Sequence, residues 1–200
     1  MTEITPRPTL FLIVGPNGAG KTTYYETVLK GRVAAPFINA DIIQRDELKD
    51  TSMEAAYTAA RIAEERRQQY LESRSSFIAE TVFSHESKLG LIEHARQAGF
   101  RIIVFHLDVA SADLSVARVH ARVNEGGHPV PDDKIRARYE RNKTLIRSAV
   151  LAADAAIVLD ASALNQPPRR LARFSNGRIE QLSDHMTDWF EDLYGDLIVE

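Results

Sequence analysis

Lys21, Thr22, Asp41 and Glu80 are the residues of this chain whose types and surroundings could do chemistry together. Lys21 and Thr22 close the stretch Gly15-Pro16-Asn17-Gly18-Ala19-Gly20-Lys21-Thr22-Thr23. A glycine, four residues and then Gly-Lys-Thr is the spacing of a loop that wraps phosphate. Glycines let several backbone N–H groups point at one anion, and a following helix adds its positive N-terminal end. Within such a loop the Lys21 ammonium reaches the β- and γ-phosphates of ATP, and the Thr22 hydroxyl ligates Mg²⁺. Asp41 and Glu80 each end a short apolar run, Phe37-Ile38-Asn39-Ala40-Asp41 and Ser76-Phe77-Ile78-Ala79-Glu80-Thr81. The C-terminal ends of parallel strands border the ligand crevice of an open sheet, so these carboxylates are expected to face the nucleotide. For Asp41 the alternative is a helix cap before Ile42-Ile43, although Asn39 or Asp46 could punctuate the same region.

The elements that must position these groups follow from apolar patterning. Leu10-Phe11-Leu12-Ile13-Val14, Ile102-Ile103-Val104-Phe105 within Arg101 to Asp108, and Ala155 to Asp160 are unbroken apolar runs of strand length. Such runs suit parallel strands buried on both faces. Helices are predicted from Lys21 to about Lys30, from about Met53 to Ser73, over Lys88–Ala98, from Ser111 through about Asn124, and from Asp132 to about Ala152. In the second of these, Ala56, Ala59, Ala60 and Ala63 are expected to form the stripe against the sheet, with Arg61, Arg66 and Arg67 on the solvated side or one of them facing substrate. Asp108 follows an apolar run as a metal-orienting aspartate would, but no Glu comes after it. Past residue 160, Ser175-Asn176-Gly177 signals a hairpin between Arg169–Phe174 and Arg178–Leu182, and an acidic amphipathic helix is expected from Asp184. Strand and helix alternate, which implies an α/β fold with a parallel sheet of about five strands and helices on both faces, plus the small C-terminal hairpin and helix. One domain over residues 1–200 is expected, with its core at 9–162 and the hairpin and helix at 163–200.

Composition narrows the function classes. The 200 residues are 44% apolar and carry a formal charge of −3, which gives no positive field for coating nucleic acid. Cysteine is absent, so disulfides, thiolate metal sites and a cysteine nucleophile are excluded. No apolar run approaches membrane-spanning length and no signal-type segment opens the chain, so a cytoplasmic protein is expected. The phosphate loop also resembles that of transporter-type ATPases, but a Leu-Ser-Gly-Gly-Gln-like signature and an Asp-Glu pair are missing, as are GTPase base-reading motifs.

Four further stretches carry a family resemblance. They are Asn39-Ala40-Asp41, Phe77 to Ser84, Arg118-Val119-His120-Ala121-Arg122-Val123-Asn124-Glu125-Gly126-Gly127-His128-Pro129-Val130-Pro131 leading into Ile135 to Tyr139, and Asp160-Ala161-Ser162. In this order and spacing, from Leu10 to about Asp160, the chain resembles the bacterial zeta-toxin-like kinases. Ala161 stands where many relatives have asparagine, and Glu80-Thr81-Val82 where toxins proper carry Glu-Gly-Thr. The resemblance implies ATP-dependent phosphorylation of the 3′-hydroxyl of UDP-N-acetylglucosamine. It also implies that Asp41 orients and deprotonates the acceptor hydroxyl, that Glu80 and Thr81 hold acceptor or Mg²⁺, and that Arg118, Arg122, Arg138 and His128 form a lid over the triphosphate. An antitoxin, where one exists, would act in trans. Two other readings stay open: a kinase for a nucleoside, sugar or antibiotic hydroxyl, and a nucleotide-dependent switch that hydrolyses ATP slowly.

Overall fold

A computed structural model describes residues 7–124 and 130–198 of the chain. Strand β1 (Thr9–Val14) forms the middle of the sheet. The helix α1 starts at Lys21 (Lys21–Tyr24) and widens into a π-helical turn over Tyr25–Leu29. Then come β2 (Phe37–Ile38), α2 (Ala40–Ile42, continuing as a π-helical segment Ile43–Leu48), α3 (Met53–Glu72) and β3 (Phe77–Thr81). They are followed by α4 (Ser87–Gln97), β4 (Arg101–Asp108), α5 (Ala112–Asn124), α6 (Asp132–Ala152) and β5 (Ala155–Asp160). The chain closes with β6 (Arg169–Ser175), β7 (Arg178–Leu182) and α7 (Asp188–Tyr194).

The strands form one sheet in the order β2-β3-β1-β4-β5-β6-β7. The first five are parallel, as the unbroken apolar runs require, and β6 and β7 extend the sheet antiparallel to β5. The hairpin expected from Asn176-Gly177 therefore lengthens the main sheet rather than standing beside it. Its turn has positive φ at both Asn176 and Gly177, the backbone that residue pair adopts most readily. Connections leave β1 toward β2 on one side, while β3 leads across to β4 on the other. A crevice opens at the strand ends where the directions part.

Both faces are covered. Leu10, Leu12, Phe77, Ile102 and Val104 pack under residues of α3, α4, α6 and α7. Ile13, Ile78, Phe105 and Leu107 pack against Ala19, Tyr24 and Leu29 around α1. Two local readings are corrected. The buried stripe of α3 is Ala55, Ala59, Ala63, Arg67 and Leu71, while Ala60 is exposed. Four-residue steps keep one helical face, and that phase carries Arg67 inward instead of leaving it on the solvated side. The last helix begins at Asp188 instead of Asp184, with Trp189, Phe190 and Tyr194 buried.

Candidate active site

The phosphate loop runs from the end of β1 to the start of α1, and its backbone explains its glycines. Gly15 has φ +149°, and a Cβ there would lie 1.9 Å from the carbonyl oxygen of Leu107 at the end of β4. Gly18 has φ +74° and would bring a Cβ to 3.0 Å from both Arg118 Cβ and the Ser115 carbonyl. A side chain at Gly15 would collide with backbone and one at Gly18 would be crowded and strained, so the loop lies pressed between β4 and α5. Ser115 Oγ adds a hydrogen bond to the Asn17 carbonyl. The buried Lys21 ammonium donates to the carbonyls of Gly15 at 3.0 Å and Pro16 at 2.9 Å. Burial holds Lys21 below the ordinary lysine range, Glu80 and Asp41 pull it back, and the Arg122 charge pushes it down again.

Glu80, at the end of β3, faces this lysine. Its Oε2 accepts from Thr22 Oγ1 at 2.9 Å and from Asn39 Nδ2 at 2.7 Å. Burial raises the Glu80 carboxyl above the ordinary carboxylate range, against the opposing pull of Lys21. Asn39 is buried and works in two directions. Besides gripping Glu80, its Oδ1 accepts from the backbone N–H groups of Asp41 at 2.7 Å and Ile42 at 3.2 Å, which makes Asn39 the N-cap of α2. Asp41 is thereby free of the capping role and presents an exposed carboxylate in the first turn of α2.

Lys21, Thr22, Thr23, Asn39, Asp41, Glu80 and Thr81 all line one cleft of about 490 Å³. Asn17, Gly18 and Gly20 line it too, whereas Ala19 is buried behind. Arg118, Arg122 and Arg138 reach the same cleft from α5 and α6. Arg118 is engaged by backbone: Nη1 donates to the carbonyls of Ala161 at 2.6 Å and Gly18 at 3.4 Å, and Nη2 to those of Ser162 at 2.9 Å and Ala163 at 3.2 Å. It braces the phosphate loop against the loop after β5. His128 lies outside the described residues.

Among the cleft residues not singled out as site residues in the sequence are Asn39, Arg67 and Lys88. Asn39 could have been found as the polar residue between an apolar run and a helix start. Arg67 and Lys88 line the cleft from α3 and α4, and only the phase of those helices against the sheet reveals them. Asp108 is not among the lining residues. It is buried, its Oδ1 accepts from the Val109 N–H at 2.8 Å, and its Oδ2 lies 3.1 Å from His106 Nε2.

The donor set suits a small hard cation with phosphates. The Thr22 hydroxyl and the Glu80 carboxylate adjoin the lysine, and no cluster of three or more His, Cys, Asp or Glu residues occurs among the described residues. Mg²⁺ is ordinarily held in this manner, by one or two protein oxygens together with substrate phosphates.

A glycine-rich loop after a central parallel strand, with a buried lysine and carboxylates on neighbouring strand ends, defines a P-loop α/β fold. A family model described as an AAA domain matches residues 10–143, and the chain belongs to that family. No curated protein matches the chain in sequence. Among solved structures, the AvrRxo1-ORF1:ORF2 complex superposes with a TM-score of 0.68 at 17% identity, covering 96% of this chain and 63% of the other. The AvrRxo1-ORF1:AvrRxo1-ORF2 structure with ATP gives a TM-score of 0.64 at 18% identity, over 96% and 63% of the two chains. The chain thus spans somewhat under two thirds of the length of these neighbours. A structure from the PezAT chromosomal toxin–antitoxin system of Streptococcus pneumoniae superposes with a TM-score of 0.58 at 15% identity, over 80% of this chain and 71% of that one. At these identities the likeness is one of fold. No helix among the described residues is long and apolar enough to cross a membrane.

Proposed function

We propose that this chain is an ATP-dependent kinase that transfers the γ-phosphate to a hydroxyl of a UDP-N-acetyl sugar, with the 3′-hydroxyl of UDP-N-acetylglucosamine as acceptor. The observation that carries the reading is the common cleft in which Lys21 and the exposed Asp41 both stand, with Glu80 bonded to Thr22 and Asn39. Phosphoryl transfer passes through a loose, charge-spread transition state, so catalysis is mainly alignment and neutralisation. Lys21, drawn back from the Gly15 and Pro16 carbonyls, contacts the β- and γ-phosphates cradled by Gly15 to Thr23. Mg²⁺, held by Thr22 with Glu80 beside it, would neutralise phosphate charge. Asp41 orients the acceptor hydroxyl and takes its proton as the oxygen bonds to phosphorus, and ADP departs with the electron pair of the broken P–O bond. Glu80 and Thr81 bound the acceptor's position. Arg122 and Arg138 meet phosphate oxygens with two-pronged guanidinium groups, while Arg118 keeps the loop in place.

The UDP-sugar acceptor rests on the zeta-toxin-like motifs, Asn39 to Asp41 and Phe77 to Ser84 foremost. Two fold neighbours are named as an ORF1:ORF2 complex and as part of a toxin–antitoxin system, and on that likeness the proposal includes a protein partner acting in trans. The direct experiment incubates the protein and its Lys21→Ala variant with Mg-ATP and a panel of UDP-sugars, sugars and nucleosides. A phosphorylated UDP-N-acetyl sugar from the wild type alone is the expected result. Transfer only to other hydroxyls moves the acceptor class, and ADP release that no acceptor accelerates overturns the kinase reading.

A further inference from the structure

Arg67 is only 7% exposed, yet it lines the cleft from the buried stripe of α3. Its Nη2 meets Glu64 Oε2 at 2.5 Å, one turn away on the same helix, while its Nε is buried without any hydrogen-bond partner. Lys88, on α4, lines the same wall, and its Nζ stands 3.8 Å from the same Glu64 oxygen. Two cations therefore share one carboxylate, and that carboxylate's side chain is 60% exposed. Ala60, Ala63, Val82 and Ser84 also line the cleft and add no negative charge. Both carboxylates of the cleft, Asp41 and Glu80, belong to the Lys21 end.

This arrangement is costly unless it serves a ligand. A guanidinium taken out of water needs its donors paired, and a surface pair with Glu64 would not require burying the arginine at all. Burial and the Arg67 charge hold the Lys88 ammonium below its usual range, so a second positive group is kept close despite the repulsion. An anion bound in the cleft would give the Arg67 guanidinium a second partner and relieve that repulsion in one step.

We propose that Arg67 and Lys88 form a subsite for an anionic group of the acceptor, a phosphate or a carboxylate set apart from the hydroxyl that receives phosphate. The inference rests on the kinase reading for the word acceptor, and it narrows the substrate class. Phosphorylated sugars, nucleotide sugars and sugar acids fit the cleft, while neutral sugars and nucleosides leave both cations unpaired. Neither residue touches the transferred group, so their contribution lies in binding.

The test saturates the full chain with the Mg²⁺ complex of a non-hydrolysable ATP analogue, which fills the phosphate loop, and titrates it with inorganic phosphate, glucuronate or glucose by calorimetry. Wild type binds at least one of the two anions and not glucose. Arg67→Gln and Lys88→Gln each weaken that binding at least about tenfold, the weight of one charge-assisted bond, and Arg67→Lys recovers part of it. Affinity for the ATP analogue stays unchanged throughout. Phosphate binding alone points to a phosphorylated acceptor and glucuronate binding alone to an acid. Should Arg67→Gln not fold, the more exposed Lys88→Gln carries the test. Neither anion binding to the wild type, or undiminished binding to both glutamine variants, overturns the subsite. The acceptor panel separates the two readings: a UDP-sugar phosphorylated with unchanged KM in both variants removes the subsite and keeps the kinase. Anion binding lost in the variants with no acceptor ever phosphorylated does the reverse.

Discussion

The two ends of the sheet do different work with similar materials. At the parallel end, the tips of β1, β2 and β3 put polar and charged groups into a cleft: Lys21 buried among carbonyls, Glu80 held above its usual carboxylate range, Asp41 exposed. At the antiparallel end, β6, β7 and α7 bring Phe174, Phe190 and Tyr194 into full burial, and Arg147 of α6 pairs with Asp196 through two bonds of 2.7 Å. One end accepts buried charge at a cost in stability, and the other recovers stability through apolar area. Substitutions at the first end should therefore cost rate without melting the protein, and at the second should melt it without slowing the folded fraction.

The sharpest break of that contrast lies at Asp41. Asp41→Asn is expected to lower turnover on the order of 10³–10⁴-fold while ATP affinity and melting temperature hold, checked by acceptor kinetics beside nucleotide titration. Near-normal turnover would remove Asp41 from the proton-accepting role. Arg122→Ala, at an exposed position, should cost about 10³-fold in kcat with little change in thermal stability. At the opposite end, Phe190→Ala should destabilise by about 3–5 kcal/mol in denaturant titrations, with kcat per folded molecule unchanged. A proportional loss of kcat would mean that the brace and the cleft are not separable.

The smallest effect expected is that of Asp196→Asn. Hydrogen bonds from Arg147 hold the Asp196 carboxyl below its ordinary range, so its contribution is present above the unfolded carboxyl's pKa. It is lost as pH falls through the lower folded value. The variant should melt slightly earlier than wild type at neutral pH, and the gap should close in acid below the ordinary carboxylate range of about 3.9.

What the sequence makes legible follows the same division. The phosphate loop is readable because its requirement is local: only glycine fits where a side chain would strike the Leu107 carbonyl. The parallel strands are readable because burial on both faces leaves unbroken apolar runs, and Asp41 and Glu80 are found as residues that close them. Arg67 is not readable, because its inward aim depends on the phase with which α3 meets the sheet, and an arginine among Arg61 and Arg66 looks solvated. Nor are the partners of Arg118, which are carbonyls more than forty residues away in the chain. The Asn176-Gly177 turn is visible, but the pairing of β6 with β5 is a long-range register that no local pattern encodes.

One amide holds the geometry of the proposed reacting centre. Because Asn39 reads Glu80 with its nitrogen and the start of α2 with its oxygen, the placement of Asp41 is surveyed from the adjacent strand rather than from its own helix. Aspartate at that position would still cap α2, yet it would set one anion against another. A substitution that conserves shape and loses a single hydrogen-bond donor would thus misalign the proposed base while leaving its own carboxylate intact.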